Sequence, residues 1–426
     1  MIEKVTSVKK IEGEIIAPGD KSISHRAALF NSIASGTSKI TNFCVGDDKS
    51  AILNCLIGLG AQIEETDNSI HIQGNGLHGL TEPVDVLNAG NSGTTIRLVS
   101  GLLSGNDFYS VITGDKSLRN RPMKRIITPL MKMGAIIYGR EKSSLAPLTI
   151  IGGNLTGIEY EMPVASAQLK SCLIIAGLYA NDKTIIHQPG PSRDHTEKIL
   201  ESMGAQIKVT GTTIQIQKSE LSSIDMNIPS DTSNSTFWIV AGCCHPNASI
   251  KLKNVGMNPT RTGMLEVLNA MGAKIKIDNE GYEGGEPVAD ISVESSELKG
   301  IEISGEIIPR VIDELPILAL AACFADGKTL IKDSEELRVK ESDRIKATVD
   351  SLSKLGAQIE ETEDGMLING GSQLVGAEVN SFGDHRIAMT NGIAGLIAKD
   401  ETIVINSEAA NISYPSFWET LKTLGT

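Results

Sequence analysis

Several short segments of the chain place lysine or arginine beside glycine, serine and asparagine. The clearest are GDKSISHR at residues 19–26, NAGNSGTTIR at 88–97 and GDHR at 383–386. Small residues let a ligand approach the backbone closely, and fixed cations bind phosphate and carboxylate groups. These residue types therefore predict the binding of small anionic molecules.

The GDKSISHR segment has the glycine, lysine and serine of a nucleotide-binding P-loop in almost the same order. A P-loop requires a glycine directly before the lysine and another glycine farther upstream at a fixed spacing. Here Asp20 lies directly before Lys21, and the upstream glycine, Gly13, is one position too far away. The spacing excludes a P-loop but leaves Lys21, Ser22 and Arg26 as anion ligands. Ser22 and Arg26 are four residues apart and would share one helical face.

A second cationic segment, ELRVKESDR at 336–344, places Lys340 and Arg344 four residues apart. Like charges on one helical face repel, so this spacing predicts an anionic partner. Glu341 could pair with Arg344, or act as a general acid or base whose pKa the neighbouring cations tune. Asp313 begins an apolar helix, where it could cap the helix or act as a base inside an anion pocket.

The segment LRNRPMKR at 118–125 concentrates four cations before and within a predicted helix. Such a run usually forms a solvated face, and we interpret Lys124 and Arg125 in that way. His385 of the GDHR segment, taken alone, is more often structural than catalytic.

The composition limits the classes of partner. A length of 426 residues predicts two domains. The net charge of −13 argues against nucleic acid or an anionic membrane as a ligand. No apolar run approaches the ~20 residues of a membrane span. The segment MIEKVTSVKK lacks the apolar core of a signal peptide, so we expect that the protein is not exported. The spacing of the six cysteines matches neither a metal site nor a redox pair, so we predict no metal site. Their apolar surroundings are typical of buried thiols in a cytoplasmic protein.

An internal repeat organises the elements that must position these residues. The phrase LGAQI at 59–63 returns as MGAII, MGAQI, MGAKI and LGAQI at 133, 203, 271 and 355, and a shortened LGT lies at the end. A period of about 70 residues indicates a repeated structural unit that is too large for a simple solenoid. Each repeat reads as strand, helix, strand, helix and two strands, and its helices end near glycine.

Six such repeats predict an α/β protein of two domains, each of three βαβαββ units. The predicted first domain comprises residues 19–229. The second comprises 1–18 and 230–426, with the N-terminal strand IEKVTSV completing the sixth repeat. We assign IEGEIIAPG, at 11–19, as the first strand of the first repeat. The polar clusters lie at the start of the first helix of each repeat, where free N–H groups and the helix dipole favour anions. Because six such clusters occupy the same position in six repeats, we predict that they converge on one site.

The chain resembles the 5-enolpyruvylshikimate-3-phosphate synthases along essentially its whole length. The motifs that carry the resemblance are GDKSISHR, NSGTTIR, RPM, SAQLKS, RDHTEK, MNPTRTG, LRVKESDR and GDHRIAM. The family fold is an inverse α/β barrel of two domains, each of three βαβαββ units, which close over the substrates at their interface. The family transfers the enolpyruvyl group of phosphoenolpyruvate to the 5-hydroxyl of shikimate 3-phosphate and releases phosphate. The resemblance implies a monomeric cytoplasmic enzyme of aromatic amino-acid biosynthesis that uses no metal or other cofactor.

The resemblance also implies which residues contact the substrates. For shikimate 3-phosphate these are Lys21, Ser22, Arg26, Ser166, Ala167, Gln168, Arg193, Asp313 and Lys340. For phosphoenolpyruvate they are Lys21, Asn91, Gly93, Arg121, Gln168, Arg344 and Arg386. The implied catalytic groups are Asp313, as the base for the 5-hydroxyl, and Glu341 with Lys21, which move protons on and off the enolpyruvyl methylene.

Two features depart from the common family pattern. Many members have a lysine that touches phosphoenolpyruvate shortly before a T-F-P element, whereas this chain has NISYP at 411–415. SAQ in place of SSQ, together with LRVKESDR, is similar to the subgroup that includes glyphosate-tolerant enzymes. Tolerance there often accompanies alanine in place of the loop glycine. Because this chain keeps Gly93, we expect it to be sensitive to glyphosate.

Two alternative functions fit less well. The sister enolpyruvyl transferases that act on UDP-N-acetylglucosamine share the fold but open with Lys-Asn where this chain has Lys21-Ser22. They also usually have a loop cysteine in the first domain, and the corresponding GDKSLRNRPM stretch here has none. A non-catalytic repeat scaffold would explain the period but not the six polar helix starts.

Overall fold

The structure, a computed structural model, describes residues 1–425. The chain forms two compact units, and each has its own hydrophobic core. The first unit comprises residues 19–229 and 282–286. The second comprises residues 1–18, 230–281 and the described residues from 287 onward. Among the described residues, no helix is long and apolar enough to cross a membrane.

The first unit contains three repeats, and the second and third of them have the predicted order of elements. Its helices are Lys21–Ser32, Asp47–Gly58, Gly93–Ser104, Lys124–Lys132, Ala167–Gly177 and His195–Ser202, with a short 3₁₀ helix at Leu118–Asn120. Its strands are Ser35–Thr41, Gln62–Glu65, Ser69–Asn75, Leu87–Asn88, Tyr109–Thr113, Ile136–Gly139, Leu145–Ile151, Glu159–Glu161, Thr184–His187, Ile207–Thr210, Thr213–Ile216 and Met226–Asn227. Residues 140–143 form a turn in which Glu141, Lys142 and Ser143 have positive φ values.

The second unit contains the other three repeats. Its helices are Thr232–Cys244, Gly263–Ala270, Ile308–Val311, Leu315–Phe324, Arg344–Lys354, His385–Ile397 and Phe417–Leu424, with 3₁₀ helices at Gly305–Ile307, Glu335–Val339 and Ser407–Ile412. Its strands are Ile2–Thr6, Ile11–Ile15, Ala248–Gly256, Lys274–Glu283, Glu286–Glu294, Glu302–Ile303, Lys328–Ile331, Gln358–Glu361, Met366–Asn369, Glu378–Asn380 and Glu401–Ile405. The hairpin tip between Lys274–Glu283 and Glu286–Glu294 belongs to the first unit.

Five sheets of four strands have the same order. In the second repeat, Leu87–Asn88 pairs in parallel with Tyr109–Thr113, which pairs antiparallel with Leu145–Ile151. The remaining strand, Ile136–Gly139, lies on the far edge. The sixth sheet has three strands, with Ile2–Thr6 as its antiparallel strand. This repeated topology confirms the predicted α/β fold class of βαβαββ units.

One strand assignment made from the sequence is wrong. Ile11–Ile15 pairs in parallel with Ala248–Gly256 and so completes the sheet of the fourth repeat, not the first. Its expected place, beside Ser35–Thr41, is taken by Met226–Asn227. Ile11–Ile15 lies just before the chain passes from the second unit to the first, and it pairs within the second unit. Met226–Asn227 lies just before the chain returns to the second unit, and it pairs within the first. A periodic sequence predicts the order of strands but not which sheet a boundary strand joins.

The first helix of every repeat is buried along most of its length. These helices are Lys21–Ser32, Gly93–Ser104 and Ala167–Gly177 in the first unit, and Thr232–Cys244, Leu315–Phe324 and His385–Ile397 in the second. A helix that is apolar on all sides, such as LPILALAACF at 315–324, is stable only when it is buried inside a core. In the second unit all three helices pack on one another.

The glycine of each repeated phrase ends the second helix of its repeat. Gly60, Gly134, Gly204, Gly272 and Gly356 have φ values between 85° and 112°. Side chains are strained in this left-handed region, so glycine is the residue that stops a helix there. The repeated phrase is therefore a helix-ending signal, which explains why it marks the period so clearly.

Candidate active site

The polar clusters lie at helix starts, as predicted. Asp20, Ser92 and Ser166 in the first unit, and Asp231 and Asp384 in the second, each accept a backbone N–H of the first helical turn. A cap of this kind satisfies one of the four free N–H groups at a helix N-terminus. The helix starts are therefore well ordered and still present N–H groups to a ligand.

Lys21 is the first residue of its helix, and about half of its side chain is exposed. Its ammonium group lies 2.9 Å from the Asp48 carboxylate. Burial raises the pKa of Asp48, but the charges of Lys21 and His25, together with hydrogen bonds from Lys21 and Ser92, lower it to about 2. Asp48 also accepts a hydrogen bond from Ser92, which caps the next buried helix. The ionised Asp48, which the sequence did not single out, thus joins the candidate lysine to the Gly93 region.

Arg26 is only 3% exposed. Its guanidinium donates to Thr196 Oγ1 at 2.6 Å, to Ser171 Oγ at 2.7 Å and to the Ser22 carbonyl at 2.8 Å. Burial lowers the pKa of Arg26 to about 10, and the charge of Arg193 acts in the same direction. Arg26 therefore joins three helices of the first unit. These contacts already use several of the N–H groups that Arg26 could donate to a substrate.

Gly93 lies against two arginines. A side-chain carbon added to Gly93 would lie 2.7 Å from Arg97 Nη1 and 3.3 Å from Arg121 Nη1. Arg121 donates to Asn91 Oδ1 at 2.6 Å, and Asn91 in turn donates to Asp115 at 2.6 Å. The structure therefore brings together three of the predicted phosphoenolpyruvate ligands, namely Gly93, Arg121 and Asn91.

Gln168 lies among the same cations. Its Oε1 accepts from Arg97 Nη1 at 2.7 Å and from Arg125 Nη2 at 3.3 Å, and its Nε2 donates to Thr94 Oγ1 at 3.1 Å. The interpretation of Arg125 as part of a solvated face is wrong, because its guanidinium binds this amide. Ser166 and Ala167, which precede Gln168, are half-buried at the start of the same helix.

Arg97 is a candidate that the motif reading missed. Burial, followed by the charges of Arg125 and Arg121, lowers its pKa to about 9. Within the described residues neither Arg97 nor Arg125 forms an ion pair with a carboxylate. Arg97 lies four residues after Gly93 in a helix, and this spacing is the signal that could have identified it. A cationic cluster without a carboxylate partner favours an anionic ligand.

In the second unit Arg344 gathers three carboxylates. Arg344 is 1% exposed and donates to Asp384 at 2.8 Å, to Glu341 at 2.6 Å and to Asp313 at 3.3 Å. Burial lowers the pKa of Arg344, but Asp384 and Glu341 raise it above its ordinary value. Although burial raises the pKa of Asp384, Arg344 holds it below the ordinary range. Both candidate catalytic carboxylates thus share one guanidinium, so an anion that binds Arg344 competes with them directly.

Lys340 does not share a helical face with Arg344, so the argument from their spacing is wrong. The Glu335–Val339 segment is a 3₁₀ helix that ends before Lys340, and the next helix begins at Arg344 itself. The Lys340 ammonium group pairs with Glu336. A role of Lys340 in binding shikimate 3-phosphate stays a prediction.

Arg386 is the second predicted cation of this unit. Its guanidinium carbon lies 6.0 Å from the centre of the Phe237 ring. Its Nε and Nη1 are buried, and in the part of the chain that the structure describes they have no hydrogen-bond partner. Because buried donors without partners cost free energy, this arrangement favours an anionic ligand.

The cysteines are inert in this structure. All six are free, and five of them are buried. Burial raises the pKa of those five thiols to about 12 and raises the pKa of Cys244 well above its ordinary value. Among residues 1–425, no group of three or more histidine, cysteine, aspartate or glutamate side chains could hold a metal ion.

Comparisons with known proteins point to one family. Residues 5–421 match EPSP synthase (3-phosphoshikimate 1-carboxyvinyltransferase). The 3-phosphoshikimate 1-carboxyvinyltransferase of Desulforudis audaxviator is 50% identical over 426 residues, covering 100% of this chain and 99% of that protein. The structure of EPSP synthase from Acinetobacter baumannii is similar, with a TM-score of 0.95 and 41% identity over 100% of this chain and 98% of that chain. The enolpyruvyl transferase NikO from Streptomyces tendae has a TM-score of 0.79 at 17% identity, covering 99% of this chain and 97% of that chain, which shows a shared fold.

Proposed function

Because the chain belongs to the EPSP synthase family, we propose that it transfers the enolpyruvyl group of phosphoenolpyruvate to the 5-hydroxyl of shikimate 3-phosphate and releases phosphate. The reaction is an addition followed by an elimination. A proton is added to the methylene carbon while the 5-hydroxyl oxygen attacks the neighbouring carbon and loses its own proton. A methyl proton and phosphate then leave, and the double bond re-forms.

Three groups of this chain are assigned to the proton transfers. Asp313 accepts the proton of the 5-hydroxyl, and Glu341 with Lys21 adds and removes the proton at the methylene carbon. The supporting geometry is that Asp313 and Glu341 are tied to the same guanidinium, Arg344, at 3.3 and 2.6 Å. An anionic substrate that takes over Arg344 would release both carboxylates for proton transfer. This shared guanidinium is the observation that carries the proposal.

The substrate contacts follow the chemistry of the side chains. Shikimate 3-phosphate is bound by Lys21, Ser22, Arg26, Ser166, Ala167, Gln168, Arg193, Asp313 and Lys340. Phosphoenolpyruvate is bound by Lys21, Asn91, Gly93, Arg121, Gln168, Arg344 and Arg386. The planar fork of arginine binds carboxylate or phosphate in two places, which suits a substrate that carries both groups. The buried, unpartnered nitrogens of Arg386 support its place in this set.

Arg97 and Arg125 act on the same substrates through Gln168. Their guanidinium groups hold the amide oxygen of Gln168, so the amide nitrogen is turned away from them, towards Thr94. They also keep positive charge beside Gly93 without a carboxylate to neutralise it. Both effects favour an anion at this helix start.

A direct assay tests the proposal. Purified protein is mixed with phosphoenolpyruvate and shikimate 3-phosphate, and release of phosphate is followed. UDP-N-acetylglucosamine replaces shikimate 3-phosphate in a parallel reaction and is expected to give none. Release with the UDP-sugar alone would overturn the assignment of the substrate.

The role of Asp313 is tested by Asp313→Asn, which keeps the size of the side chain but removes the base. We expect the variant to retain binding of shikimate 3-phosphate, measured by calorimetry, because asparagine keeps a hydrogen-bonding group there, and to lose at least about a hundredfold in kcat, in line with the usual contribution of a general base. A kcat near that of the wild type would remove Asp313 from the mechanism.

A further inference from the structure

The NPTRTG segment, residues 258–263, packs against the turn that leads into Asp313. Arg310 of that turn donates to the Pro259 carbonyl from Nε at 3.1 Å and from Nη2 at 2.8 Å. A third donor, Arg310 Nη1, lies 3.0 Å from Glu266, which follows the segment in the Gly263–Ala270 helix. Pro259 and Glu266 therefore both hold the side chain of Arg310, and with it the turn.

Close backbone packing holds the same turn from a second direction. A side-chain carbon on Gly263 would lie 2.8 Å from Val311 Cγ1 and 3.0 Å from Arg310 Cβ. Glycine is needed at this position because a larger residue would push the turn away. The Ile308–Val311 turn, and the chain that leaves it towards Asp313, thus have little freedom to shift.

A buried chain of hydrogen bonds fixes the residue next to Asp313. Arg261 donates to Ser233 Oγ at 2.6 Å, and the Ser233 hydroxyl donates to the Glu314 carboxylate. The three residues are 6%, 0% and 3% exposed. Ser233 lies in the buried Thr232–Cys244 helix, so Glu314 is anchored to the centre of the second unit.

Stability alone does not account for this chain of contacts. A buried ionic group is expensive to desolvate, and apolar residues of similar size often stabilise a core equally well. What a hydrogen-bonded network adds is a defined geometry, because each member accepts only a narrow range of distances and angles. The residue whose geometry it defines here is Glu314, and the adjacent backbone carries Asp313.

We propose that Arg261, Ser233 and Glu314 are positioning residues that hold Asp313 at the reacting hydroxyl. The inference rests on the proposed role of Asp313 as the base. Asp313 is itself partly exposed and contacts Arg344 at 3.3 Å, so its carboxylate needs an anchor to stay in place when a ligand engages Arg344. A displacement of about 1 Å at a reacting group costs on the order of a hundredfold in rate.

The test is Ser233→Ala, which removes the hydroxyl between Arg261 and Glu314. We expect kcat to fall by about ten- to a hundredfold, while KM for each substrate and the dissociation constant of shikimate 3-phosphate change by less than about threefold. Glu314→Gln, which keeps an acceptor for Ser233, should retain clearly more kcat than Glu314→Ala. Ser407→Ala is the matched control, because this serine is also fully buried and, among the described residues, its hydroxyl has no partner.

The outcomes separate the inference from the function on which it rests. If Asp313→Asn turns over normally, the role of Asp313 fails and the inference falls with it. If Asp313→Asn is inactive but Ser233→Ala and Glu314→Ala match Ser407→Ala in kcat, the inference alone is overturned. A loss of activity in Ser233→Ala that only tracks a loss of folded protein, measured by thermal unfolding, would also overturn it.

Discussion

Replacing Gly93 by alanine perturbs the cationic cluster of the first unit at one defined contact. The added carbon would lie 2.7 Å from Arg97 Nη1, which is too close for any real contact of this kind. Arg97 must therefore move by roughly 0.6 Å to reach an ordinary separation. The same nitrogen is held by Gln168 Oε1 at 2.7 Å. Movement of this size would stretch that hydrogen bond to about 3.3 Å, beyond the usual range.

The expected effect on binding follows from that bond. A hydrogen bond to a charged group contributes about 1.5–3 kcal/mol, and about 1.4 kcal/mol corresponds to a factor of ten in affinity. We expect KM for phosphoenolpyruvate to rise by about ten- to a hundredfold. The fall in kcat should be smaller, because Asp313 and Glu341 are not touched. Stability should change by less than about 1 kcal/mol, since alanine is a better helix former than glycine.

The assay is phosphate release with phosphoenolpyruvate varied at saturating shikimate 3-phosphate, and glyphosate is titrated in the same reaction. The wild type is expected to be inhibited competitively with phosphoenolpyruvate, and Gly93→Ala to need much more glyphosate. Gly190→Ala is the control, because an added carbon there meets nothing within 4 Å. A KM within twofold of the wild-type value for Gly93→Ala would refute the reasoning from Arg97. A wild type that is indifferent to millimolar glyphosate would contradict the expected sensitivity.

Three further predictions concern charge and burial. Asp48 has a pKa of about 2 against an ordinary 3.8, so its contribution of about 2 kcal/mol is present above about pH 4 and is lost as the pH falls towards 2. Urea unfolding should show Asp48→Asn to be less stable than the wild type at pH 7, with the difference shrinking at pH 3; a constant difference would argue against this pairing. Arg125→Ala should raise KM for phosphoenolpyruvate about tenfold, on the scale of one charge-assisted hydrogen bond, whereas Lys124→Ala, on the exposed side, should not; equal effects would contradict the inward orientation of Arg125. The five buried thiols should react slowly with Ellman's reagent in the folded protein and promptly in denaturant, and more than one fast native thiol would contradict their burial.

The family, the fold class and the class of reaction could be predicted from short motifs, and the comparisons confirm all three. The motifs were sufficient because each joins a local structural signal to a chemical one. GDKSISHR, for example, contains the Asp20 cap that starts a helix and the cations that the helix presents. The roles of individual site residues, the monomeric state and the cytoplasmic location stay predictions.

Electrostatic surroundings were less predictable than helix positions. Arg125 was expected to face solvent because charged runs usually do, yet Gln168, which is distant in sequence, binds it inside the unit. Lys340 and Arg344 were expected on one helix because their spacing allows it. The chain instead breaks between them, and the Arg344 side chain is surrounded by Asp384, Glu341 and Asp313.

The order and ends of the helices were already present in the sequence, because caps, left-handed glycines and apolar periodicity all act within about 18 residues of one another. Which sheet Ile11–Ile15 joins depends on contacts with Ala248–Gly256, far along the chain. The bond between Arg97 and Gln168, which are 71 positions apart, depends in the same way on how two helices pack. Local free energies select the elements one at a time. The packing of distant elements within each unit then determines which charges meet, as Gln168 meets Arg97 and Arg125.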